Sequence, residues 1–124
     1  MNLLPARIER RGGRNAARLG AVTVDLAGYV FEVEPADGQE IILGMRPEDI
    51  VAADATSAGE GLDASLVFLE PMGADTLAWF DTTGGERISV RMSSPSAKTM
   101  PETIRLVVDP ALASIFSRET ERRL

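Results

Sequence analysis

The chain has 124 residues, 44% of them apolar and 26% charged, the profile of one globular domain or of two small lobes sharing a core. It contains no cysteine and no histidine, which excludes disulfides, thiolate metal sites, cysteine nucleophiles, and imidazole as a base or ligand. A net charge of −6 argues against nucleic acid as a partner, because such binding needs basic side chains to neutralise phosphates.

The first predicted element is a strand from Leu3 to Arg10. Pro5 lies inside it and cannot donate to a ladder, so an edge or entry strand is expected. Gly12-Gly13 predicts a turn, and Ala16 to Asp25 reads as extended. Arg7, Arg10, Arg11, Arg14 and Arg18 crowd this start, with Glu9 the one acid among them. They read as the solvated face of a hairpin, or as a basic arm for an acidic partner or membrane headgroups. The same charges interrupt the start before a signal-peptide apolar region forms, and no apolar run approaches the ~18–20 residues of a membrane span. The expected location is the cytoplasm.

Ala27-Gly28 predicts a reversal, followed by a strand over Tyr29 to Glu34 with Tyr29, Phe31 and Val33 on one face. Pro35-Ala36-Asp37-Gly38 is a turn signal, and Gln39 to Met45 is an apolar strand expected to be buried on both sides. Arg46-Pro47-Glu48-Asp49 stops that strand. Proline fixes its own φ and biases the residue before it towards extended geometry, so Pro47 belongs at the first position of a helical turn, with Glu48 and Asp49 at its favourable end. The corner is expected to carry a local ion pair from Arg46.

Ala52 to Gly61 is small and polar and reads as a linker between lobes 1–51 and 62–124. The second lobe has strands over Asp63–Glu70, Asp75–Asp81, Glu86–Met92 and Glu102–Asp109, with turns at Pro71–Ala74 and Thr82–Gly85 and a loop over Ser93–Pro101. Ile88, Val90 and Met92 alternate with Arg87, Ser89 and Arg91, placing the polar set outward. Asp109-Pro110 starts a helical turn, Leu112, Ile115 and Phe116 share helical spacing, and the tail from Ser117 is polar. About eight short strands with one or two helical turns indicate an all-β protein, an OB-fold-like small barrel rather than an immunoglobulin-type sandwich with its Cys-Trp-Cys core.

Chemistry-bearing motifs are scarce. The chain has no Gly-x-x-x-x-Gly-Lys-Ser/Thr phosphate loop and no Gly-x-Gly-x-x-Gly after a strand. Glu70, Asp75 and Asp81 read as strand-end acids rather than as an acid–base pair or a cation site. Trp79, Tyr29 and the phenylalanines read as core packing rather than as a base-stacking platform. Neither a catalytic residue, a cofactor nor a metal is therefore expected. Arg87 and Arg91, outward on one strand, are candidates for contacting a small oxyanion, a sugar or a partner.

Four stretches in order carry a resemblance: Met1-Asn2-Leu3-Leu4-Pro5-Ala6, Leu43-Gly44-Met45-Arg46-Pro47-Glu48-Asp49-Ile50, Leu69-Glu70-Pro71-Met72-Gly73-Ala74-Asp75-Thr76-Leu77, and Val108-Asp109-Pro110 through Ile115-Phe116 to the terminus. The set resembles the C-terminal transport-associated OB (TOBE) domain of the ATPase subunits of sugar-type ABC importers, the maltose and glycerol-phosphate branch. The resemblance covers nearly the whole chain. It implies a non-catalytic regulatory and dimerisation domain behind an ATP-binding domain absent from this chain, paired with a second copy in a homodimer. It also implies indirect contact with membrane subunits and, in some relatives, with a regulatory protein or small ligand. Met1 would then be internal to a longer parent, or the chain a fragment or an independent reading frame. The family motif falls on Gly44, Arg46, Pro47 and Glu48, with Arg46 and Glu48 expected to pin the corner between lobes. Glu70 and Gly73 fall on the family's Glu-x-x-Gly turn, where Gly73 is expected to permit a positive φ. Partner specificity is expected in the loops 52–61 and 93–101. The alternative, from the residues alone, is a stand-alone barrel binding a small oxyanion or sugar.

Overall fold

The computed structural model describes residues 1–20, 22–54 and 61–124, with the side chain of Asp54 outside the description. It is all-β, with ten strands among the described residues. They fall into two compact units, Met1–Met45 with Val108–Leu124, and Arg46–Val107.

The first unit is a five-stranded sheet. Its strands are β1 (Asn2–Arg11), β2 (Arg14–Leu19), β3 (Val22–Asp25), β4 (Glu40–Met45) and β10 (Ser114–Ser117), in the order β10-β4-β1-β2-β3. Gly12 and Gly13 close the first hairpin with φ of 55° and 80°, the pair of positive values that suits the twist of a two-residue turn. Leu4, Ile8, Ala17, Leu19, Val24, Ile41, Leu43 and Ile115 supply the buried face.

Three expectations change here. β1 is an interior strand, not an edge. Pro5 is tolerated because β1 pairs β4 over Asn2–Arg7 but β2 only over Arg7–Arg11, which leaves Pro5 with one neighbouring strand among the described pairings. The extended run 16–25 folds back on itself into β2 and β3, with Leu19 opposite Val22. Residues 29–34 form no strand, and Val30 and Val33 are exposed. Tyr29 alone of that run is buried, where its hydroxyl accepts a hydrogen bond from the Ile115 N–H at 3.3 Å.

The end of the chain also departs from helical spacing. Pro110–Leu112 is a 3-10 turn, with the Asp109 carboxylate accepting from the Ala111 N–H. Ser114–Ser117 is then extended, because β4 offers a free edge there. Leu112 is exposed while Ile115 is fully buried. The polar tail is tied down: the Leu124 N–H donates to the Ile115 carbonyl, its own carbonyl accepts from Glu32, and its side chain is buried.

The second unit holds β5 (Ile50–Asp54), β6 (Leu62–Pro71), β7 (Asp75–Thr82), β8 (Arg87–Ser93) and β9 (Thr103–Val108), in the order β5-β9-β6-β7-β8. Thr76, Ala78 and Phe80 on β7, Ile88 and Val90 on β8, and Ile104 and Leu106 on β9 form its core. The loop expected over 93–101 contains a short helix, α1 (Ser94–Lys98), which Ser93 caps and Pro95 helps to start. These units are not the consecutive lobes 1–51 and 62–124: β10 hydrogen-bonds to β4, which returns the last residues to the first unit. Of the expected linker, residues 52–54 belong to β5, and residues 55–60 lie outside the described residues.

Candidate functional site

Gly44 is buried in β4 between Leu3 of β1 and Ser114 of β10. A Cβ at this position would meet Met1 Sδ at 2.9 Å and Leu3 Cδ2 and Phe116 Cε2 at 3.4 Å each, so close packing explains the glycine. At the boundary between the units the chain runs from Met45 into Arg46, which is extended at φ −77° and ψ 144°. Pro47 opens a 3-10 turn over Pro47–Asp49, and the Asp49 N–H donates to the Arg46 carbonyl at 3.0 Å. The turn forms where the sequence places it. The ion pair does not: Arg46 and Glu48 are exposed, and neither makes a salt bridge among the described residues. Proline geometry and one backbone hydrogen bond hold this corner.

Glu70 is the next-to-last residue of β6 and is exposed, with no ion pair among the described residues. Gly73 has φ 95°, in the turn that joins β6 to β7. The Ser94 hydroxyl donates to the Gly73 carbonyl at 2.7 Å, which ties this turn to the start of α1.

Arg87 and Arg91 both point outward from β8, and each is already engaged. Arg87 donates to both Asp81 carboxylate oxygens, at 2.9 and 3.3 Å. This hydrogen bonding holds the Asp81 carboxyl below its ordinary value and raises the Arg87 guanidinium. Arg91 donates to Asp75 at 3.0 Å. The pairs leave the face electrically balanced, and they account for two of the strand-end acids singled out in the sequence.

The candidate residues do not converge on a pocket. An open depression of about 620 Å³ in the first unit is lined by the 36–40 turn and Ser117–Glu119. One of about 290 Å³ in the second unit lies among Ala52, Ala53, Ser96, Thr99, Met100 and Ile104. Neither contains a residue of the family motifs or Arg87 or Arg91, but the second is lined by residues of both segments, 52–61 and 93–101, in which partner specificity is expected. Among the described residues no group of three or more acids could hold a metal ion.

One surface was not legible in the sequence. Phe68, on β6, stacks on Trp79 of β7 with ring centroids 5.7 Å apart, and Phe68 lies outside the core with 44% of its surface exposed. Val67, Leu69 and Met72 are exposed beside it. The available signal was the unbroken run Leu66-Val67-Phe68-Leu69, which does not alternate as a half-buried strand should.

Comparison with known proteins assigns the family. The MalK OB fold domain matches residues 1–50, and the TOBE domain matches residues 43–116. The chain belongs to the TOBE domain family. Among curated relatives of this TOBE chain is the sn-glycerol-3-phosphate import ATP-binding protein UgpC of Cereibacter sphaeroides, 31% identical over 124 residues, which is all of this chain and 32% of that protein. UgpC of Yersinia pestis is 32% identical over 87 residues, covering 70% of this chain and 23% of its own length. UgpC of Chromohalobacter salexigens is 34% identical over 90 residues, covering 69% and 24%. The TOBE chain thus spans a third or less of these relatives. Its fold also matches the cytoplasmic molybdate-binding protein ModG, solved with molybdate bound, at a TM-score of 0.70 and 13% identity over 92% of this chain and 94% of ModG. That likeness shows a shared OB-type architecture.

Proposed function

We propose that this TOBE domain is the non-catalytic regulatory and dimerisation part of the ATP-binding subunit of an ABC importer for a sugar or glycerol phosphate. On this reading it works on the cytoplasmic side, attached to its ATP-binding domain and paired with a second copy. It acts through shape: the packed glycine at Gly44, the Pro47 corner and the Gly73 turn hold two β units that bias how the ATPase halves meet. Arg46 and Glu48, exposed at the boundary between units, are free to contact the ATP-binding domain. The observation that carries this reading is the alignment of all 124 residues with UgpC at 31% identity. The chain itself supplies no phosphate loop, histidine or cysteine with which to turn over nucleotide.

Two measurements test it. Sequencing upstream of the Met1 codon should reveal an ATP-binding domain in frame, and sedimentation of that complete subunit should give a dimer that weakens when this domain is deleted. An upstream stop codon, or ATP hydrolysis by the 124-residue chain alone, would overturn the proposal.

The likeness to ModG favours a second reading, a stand-alone barrel for a small oxyanion or sugar. Against it, Arg87 and Arg91 are each paired with an aspartate. A thermal-shift series with molybdate, phosphate, sulfate and maltose separates the two readings. A specific ligand at 100-fold above its Kd adds roughly 2.7 kcal/mol.

A further inference from the structure

We propose that the open edge of β6, from Val67 to Glu70, takes up a short extended segment of a different polypeptide, apolar at its centre and basic at its ends. On one side, β7 pairs β6 from Ala64 to Pro71. On the other, β9 pairs it only from Leu62 to Ser65, and the last bond runs from the Leu66 N–H to the Glu102 carbonyl. Beyond that point the outer edge of β6 has no strand partner among the described residues. Unpaired backbone groups along a strand edge are a template for another strand. Here the template is dressed with apolar side chains, since Val67, Phe68 and Leu69 are 42%, 44% and 36% exposed. The register shift between Leu66 and Phe68 and the proline at 71 bound the edge, so that the added strand is short.

Charge selects the occupant. Glu70 stands at one end of the edge, and Glu102 stands at the other, where β9 departs. Both are exposed, and neither makes an ion pair among the described residues. The complement is an apolar stretch bracketed by Lys or Arg. A second copy fits poorly. Antiparallel self-pairing about Phe68 sets Glu70 opposite Leu66 of the other copy, beside that copy's Glu102, so like charges meet at both ends. The inference is independent of the dimerisation reading, which concerns a second copy.

The full 124-residue chain allows a direct test, because Trp79 is its single tryptophan and stacks on Phe68. The probes are the synthetic peptides Arg-Val-Thr-Val-Thr-Val-Arg and Glu-Val-Thr-Val-Thr-Val-Glu. The basic peptide should shift Trp79 emission saturably, slow amide exchange at Val67–Glu70, and bind about ten-fold tighter than the acidic one. The double variant Glu70→Lys, Glu102→Lys should invert that preference. Both positions are exposed, so circular dichroism should be unchanged. If that variant fails to fold, weakening of wild-type binding by added salt serves in its place. Binding of neither peptide, equal binding of both, or protection of Val67–Glu70 by self-association would overturn the proposal.

Discussion

Gly73 and Gly44 belong to the same set of motifs but answer to different constraints. No heavy atom lies within 4 Å of a Cβ built at Gly73, so its φ of 95° is the whole reason for the glycine. Gly73→Ala should cost ~1–2 kcal/mol, read as a lower urea midpoint at unchanged slope. Gly44→Ala should cost less, because its tightest contact is the flexible end of Met1. Asp81 has a different sensitivity. Its carboxyl is held below the ordinary value by Arg87, so its contribution to stability is present above the unfolded-state pKa near 3.9 and disappears as pH falls through the lower folded value. Acid unfolding curves of wild type and Arg87→Gln should therefore begin to approach each other as pH falls below about 4 and meet only below the lowered folded value, with the Asp81 carboxyl titrating higher in the variant by NMR. Glycine and aspartate at these positions were readable in the chain. The Asp81–Arg87 partnership was not, because it needs β7 and β8 in register.

Elements with strict alternation were the most legible. β7 and β8 run close to their expected bounds, with Thr76, Ala78, Phe80, Ile88 and Val90 buried. Ser89 is the exception: it is buried at an outward position, opposite Trp79 in the ladder. Elements whose local pattern was ambiguous went to whichever partner offered hydrogen bonds. Leu112, Ile115 and Phe116 have the spacing of a helical stripe, yet residues 114–117 extend along β4. Residues 29–34 alternate like a strand, but no neighbouring strand pairs with them. Tyr29 instead acts as a post, supplying a buried acceptor to the Ile115 N–H. Tyr29→Phe keeps the ring but leaves that N–H unsatisfied, at a cost of ~1–3 kcal/mol by denaturant unfolding. Faster amide exchange at Ile115 should accompany the loss.

At the scale of the whole molecule, the return of the C-terminal segment matters most. β10 covers the edge of β4, and Ile115, Ser117 and Leu124 are all buried in the first unit. A chain ending at Asp109 should lose the dispersed NMR signals of 1–45 while keeping those of β6, β7 and β8, whose pairing is contained within 46–107. Loss of both sets together would show that the units fold as one cooperative block. The TOBE match, residues 43–116, begins and ends in the first unit and contains the whole of the second.

Composition and local pattern alone determined the all-β class, the Pro47 and Asp109 turns and the absence of imidazole and thiol chemistry. Each depends on the residue itself or on neighbours within a few positions. Tertiary structure decided that Pro5 sits in an interior strand, that Arg87 and Arg91 are neutralised, that the last residues join the first unit, and that Val67–Leu69 line an open edge. Those outcomes depend on which distant strands find one another, and pairing across tens of residues leaves no mark in local periodicity.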